Sequence, residues 1–144
     1  MKKFFTFAIT ALAMVAVFSS CKNETLTDDA LINNIATNVV YEGKCTWDYA
    51  DKTEPSESEK VVVKFTKTEI GGLIAVVAFE SGNLNGEGPW NVKNAVLTLS
   101  WKGYIEKVAY DLSLSGTING NGDKFTLSYT NSKGDVTTMD LKKK

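Results

Sequence analysis

A few side chains in this 144-residue chain could do more than pack: the thiols of Cys21 and Cys45, and the indole of Trp90 in the stretch SGNLNGEGPWN. Two groups of oxygen-bearing residues join them. Asp51, Glu54, Glu57 and Glu59 could act as paired carboxylates, and Asn119, Asn121 and Asp123 sit at the alternate spacing of a calcium loop. The usual helpers for such chemistry are missing. There is no histidine and no glutamine, and all 16 basic residues are lysine. The side chain that titrates near neutrality is therefore absent, as is the planar fork that grips phosphate or carboxylate. An enzyme is not expected, nor is any cofactor or metal. Nucleic acid is not expected as a partner either, because the whole chain carries a net charge of −1.

Cys21 has the clearest context. Met1-Lys2-Lys3 is a short positive start, and Phe4 to Phe18 is an apolar run interrupted only by Thr6 and Thr10. Ser19 and Ser20 then place small residues directly before the cysteine. This order is that of a secretory signal, and the run is short for a membrane-spanning helix. With the cysteine at its end, the segment resembles a bacterial lipoprotein signal. The resemblance implies that the Cys21 thiol is acylated and the peptide is cleaved in front of it. Phe18 stands where leucine is usual, a departure tolerated in the Bacteroidota lipoproteins that the chain otherwise resembles. Removal of residues 1–20 would leave 14 lysines against 17 acids, a net charge of −3. Lys22 after the cysteine, rather than aspartate, favours the outer membrane, in its periplasmic or its surface face.

If Cys21 carries lipid, Cys45 has no partner for an internal disulfide, and its alternation with Tyr41, Gly43, Trp47 and Tyr49 reads as a small buried side chain. Lys124 directly follows Asp123 and no later bidentate acid is evident, so Asn119 to Asp123 reads as a hairpin turn. The acids from Asp51 to Glu59 read as a solvated loop.

The elements that must position these residues follow from periodicity. Residues 21–38 form a polar tether with room for one short helix: Thr27 can cap it, Asp28 and Asp29 suit its positive end, and Leu31 and Ile35 share a face. From residue 39 to 144 the period is two. Alternating runs lie near 39–49, 61–66, 95–102, 108–115, 125–130 and, less cleanly, 135–141, while Leu73 to Phe79 is apolar throughout and predicts a strand covered on both faces. Gly71-Gly72, Lys102-Gly103, Asn119 to Asp123 and Asn131 to Gly134 supply turns. Seven or eight strands joined in order predict an all-β fold, an antiparallel up-and-down barrel, with a β-sandwich as the alternative.

The stretch VYEGKCTW at 40–47, with LSGTINGNGDKFTLSYTNSKGDVTTMDLKK near the end, resembles the calycin-like (lipocalin-like) small lipoproteins of Bacteroidota. The likeness covers roughly residues 39–143. It departs from true lipocalins in spacing Gly43 and Trp47 four apart and in lacking arginine. What it implies is a barrel on a lipid anchor.

Two functions fit. A binding module would hold a small apolar molecule or a glycan, with Trp90 at a loop mouth and Tyr41, Trp47 and Trp101 among the inward side chains. A structural or interaction protein would have a solidly packed barrel and act through its surface, with Val62, Ile74 and Val76 in the patch.

Overall fold

In a computed structural model, residues 26–37 and 39–144 are described. Alternating sequence leaves each strand one apolar face that must escape water, and a sheet of eight strands satisfies all of them by closing on itself. The strands are β1 (Tyr41–Asp48), β2 (Glu57–Lys67), β3 (Leu73–Phe79), β4 (Gly86–Lys93), β5 (Val96–Ile105), β6 (Val108–Thr117), β7 (Lys124–Thr130) and β8 (Val136–Lys143). Each pairs antiparallel with the next, and β8 returns to β1 from Tyr41 opposite Lys143 to Asp48 opposite Val136. The barrel of the sequence reading is therefore the fold, and the sandwich is excluded.

One helix, α1 (Asp28–Ile35), lies across one end. Thr27 caps it, its Oγ1 accepting from the Ala30 N–H at 3.1 Å, while Leu31, Ile32 and Ile35 are buried on the core. The rim under α1 carries the β2–β3, β4–β5 and β6–β7 turns and the end of β8.

Three expectations change. Leu73 to Phe79 is not covered on both faces: Ala75, Val77 and Phe79 point inward, but Ile74, Val76 and Ala78 remain exposed on the outer wall. Apolar character on both faces did not report burial on both. The acidic loop is shorter than expected, because Glu57 and Glu59 belong to β2 and pair with Trp47 and Cys45.

Lys102-Gly103 is not a turn. β5 runs on to Ile105, and the hairpin to β6 turns at Glu106 and Lys107, both with positive φ. Gly103 faces inward, where a Cβ would press within 3 Å of the Leu84 backbone. Its glycine serves that close approach. Gly43 plays a similar part in β1: a Cβ there would overlap the carbonyl of Asp140 on β8, so the two strands can fold tightly together only without one.

Candidate functional site

The inward aromatic side chains of the barrel pack against one another in two layers. Phe65 on β2 and Phe125 on β7 come from strands separated by β1 and β8, yet their ring centroids lie 5.9 Å apart. Tyr41 joins both, at 5.4 Å from Phe65 and 5.1 Å from Phe125, and Trp90 meets Phe65 edge-on at 5.0 Å. A second layer nearer the other end contains Trp47, Phe79 and Trp101, with Phe79 at 5.9 Å from Trp47 and 6.4 Å from Trp101. These are ordinary packing distances for aromatic pairs, and rings that touch across a barrel leave no room between them.

Each residue expected to meet a ligand is part of this packing. Trp90 is not in a loop. It lies on β4, a strand the sequence hid behind three glycines and a proline, and it is 2% exposed. Pro89 is tolerated because the β4–β5 ladder begins only at Trp90 opposite Leu99, so Pro89 pairs with β3 alone, opposite Ile74, while Gly86, Gly88, Trp90 and Val92 alternate inward. The Trp90 indole N–H donates to the Thr66 carbonyl at 3.1 Å, and that of Trp101 donates to the Leu84 carbonyl at 2.9 Å. The Tyr41 hydroxyl donates to the Gly122 carbonyl at 2.6 Å. Its burial, with the Asp123 charge beside it, raises its pKa well above the ordinary tyrosine value. Trp47 is buried as well. Polar handles that could have oriented a ligand bond to the chain itself.

Cys21 lies outside the described residues. Cys45 is buried on β1 facing the core. Asn119 to Asp123 forms the β6–β7 turn, with Gly120 and Gly122 at positive φ and the Asn121 side chain accepting from the Asp123 N–H at 3.2 Å. Among the described residues no group of three or more histidine, cysteine or acidic side chains is placed to hold a metal.

The concavities seen are on the outer wall and open to solvent. One of about 460 Å³ spans β4, β5 and β6 between Glu87, Pro89, Ser100, Lys102, Asp111 and Ser113. Ser100 and Ser113 share a hydrogen bond of 2.9 Å there, and Lys102 faces Asp111 at 3.7 Å. Sequence reasoning missed this cleft, since it depends on which residues three strands bring side by side.

The wall also bears on the membrane. Its outward positions include Glu42, Lys44, Lys60, Lys64, Asp140 and Lys142, and its buried inward ones are apolar apart from Thr137. A barrel that spans a bilayer has the inverse arrangement. Among the described residues no helix is long and apolar enough to cross a membrane.

No family model matches the chain, and no curated protein matches it. A solved structure does: a Bacteroides fragilis protein described as a "putative outer membrane protein", at 20% identity and a TM-score of 0.52. The alignment covers 78% of this chain and 45% of that one, so the chain spans less than half of its neighbour's length. At this identity the likeness is one of fold.

Proposed function

We propose that the protein is an outer-membrane lipoprotein held by acyl chains on Cys21, and that its calycin-like barrel is a solid, non-catalytic module acting through its outer surface. The Phe65–Phe125 contact carries the second half, because it closes the space a small apolar ligand would need. The first half is supported by the signal-like segment that ends in Ser19-Ser20-Cys21. It is also supported by the charged outer wall, which makes the barrel unfit to enter a bilayer and leaves attachment to another part of the chain. The Bacteroides neighbour's description agrees with an envelope location.

Each buried CH₂ of an acyl chain contributes roughly 0.8 kcal/mol, so two or three chains hold a domain of this size firmly. The working surface includes an apolar strip on β2, β3 and β4. Val62 pairs with Ala78 and Ile74 with Pro89, and Val76 lies between them on the same outward face. Such a strip suits a protein partner in the envelope.

The test is metabolic labelling with a fatty acid in a host that processes lipoproteins, together with fractionation. Wild type should take up label and fractionate with outer membrane, and Cys21→Ser should do neither. Native mass spectrometry of the unlipidated protein should show the bare chain mass. Label that is absent from wild type would sink the anchor, and a stoichiometric small molecule carried inside the barrel would sink the solid module.

A further inference from the structure

The two rims of the barrel differ in charge. The rim under α1 comprises residues 26–37, 39–42, 67–73, 93–96, 117–124 and 142–144, and its described residues hold six lysines against five acids. At the opposite rim (residues 48–57, 79–86, 105–108 and 130–136) three lysines face seven acids. Under α1, Lys124, Lys142, Lys143 and Lys144 gather around one hollow of about 510 Å³ with Asn119, Asn121 and Asp123. Lys143 is held there at 3.7 Å from Asp123, and its ammonium donates to the Asn34 carbonyl of the helix at 2.8 Å.

The same rim carries Ile70, 95% exposed, at the tip of the β2–β3 turn. Nothing about the turn is slack. The Gly71 N–H donates to the Thr68 carbonyl at 2.9 Å, the Thr68 N–H to the Gly72 carbonyl at 2.8 Å, and the Gly72 N–H to Thr68 Oγ1 at 2.8 Å. The chain thus builds a braced turn to hold an isoleucine out in the solvent, directly after Glu69 and three residues on from Lys67.

The third observation is where the chain leaves. Thr27 caps α1 at this rim, and five residues separate it from Cys21. Fully extended, that stretch reaches at most ~20 Å. A lipid on Cys21 would therefore keep this rim, and no other, against the bilayer.

We propose that the rim under α1 is a membrane-docking face: Ile70 enters the headgroup and acyl boundary of an anionic phospholipid bilayer while the lysines meet its phosphates. The acidic opposite rim then points away, with the apolar strip of β2–β4 turned sideways toward partners. The proposal deepens the anchoring reading, on which it rests for the choice of surface, but its test does not need the lipid.

The chain from residue 22, which keeps every contact described above, is sedimented with vesicles of phosphatidylglycerol or of phosphatidylcholine at low and high salt, with circular dichroism to confirm folding. Binding should require phosphatidylglycerol and weaken with salt. Each lysine neutralised should cost about fivefold, so Lys124→Gln/Lys142→Gln/Lys144→Gln should lose on the order of 100-fold. Lys52→Gln/Lys107→Gln/Lys133→Gln at the other rim should lose nothing. Ile70→Asp should lose about tenfold. Ile70→Cys carrying a polarity-sensitive dye should shift to the blue on the anionic vesicles. Equal binding to both lipids, no binding to either, equal losses from the two rims, or a dye that stays in water would each overturn the docking face. Failure of fatty-acid labelling beside intact vesicle binding would remove the anchor alone.

Discussion

The carboxylate of Asp28, in the first turn of α1, accepts two backbone N–H groups of the β4–β5 turn, from Asn94 at 2.8 Å and from Ala95 at 2.9 Å. Asn94 and Ala95 both hold positive φ in a two-residue hairpin, and their donors would otherwise face outward without a ladder partner. One side chain thereby pins the helix to the mouth of the barrel. Asp28→Ala should cost about 1–3 kcal/mol, as hydrogen bonds to a charged group do. Urea unfolding would measure it, and hydrogen exchange should quicken at residues 94 and 95 first.

A solid interior predicts a cavity on truncation. Phe65→Ala removes a ring that touches Tyr41, Trp90 and Phe125. The loss should be about 3–5 kcal/mol. If the variant stays folded, an apolar probe such as benzene should bind it and raise its melting temperature, while wild type should show no such response. Binding to wild type would mean that the interior is open.

Tyr41 predicts an alkaline limit. Its pKa is raised by burial and by Asp123, so the folded state holds its proton at pH values where the unfolded chain begins to release it. The unfolded state then binds fewer protons, and stability falls as pH rises past the ordinary tyrosine value of about 10. Below that value the contribution is fully present. Tyr41→Phe should lose about 1 kcal/mol at neutral pH with the bond to Gly122. Its melting temperature should fall less steeply than that of wild type above pH ~10.

Thr137 faces the core between Trp47 on β1 and Tyr129 on β7, and its Oγ1 is buried with no hydrogen-bond partner among the described residues. Thr137→Val keeps the branched shape and removes the hydroxyl. It should stabilise the barrel by about 1 kcal/mol, read as a higher urea midpoint at unchanged slope.

Much of this architecture was legible because a half-buried strand imposes a period of two on its own sequence. Tyr41, Cys45 and Trp47 on β1 and Leu97, Leu99 and Trp101 on β5 announced their inward faces directly. Thr27, Asp28, Leu31 and Ile35 did the same for the helix. Trp90 was misplaced because its strand opens Gly-Glu-Gly-Pro, residues that mark loops unless a neighbouring backbone crowds them. Gly103 misled for the same reason: glycine signals a turn or a close approach, and only the position of Leu84 distinguishes them.

Local order fixes what a residue can see along its own strand, so the sequence by itself determined seven of the eight strands, the helix cap and most of the turns. Contacts between distant strands have no local signature. Whether Phe65 and Phe125 meet or leave a gap depends on how tightly eight strands coil, and glycines such as Gly43 set that tightness only once Asp140 is alongside. The tertiary structure alone decided that the interior is filled, that Ile74 and Val76 stay outside, and that Ile70 and the lysines of β7 and β8 share one rim.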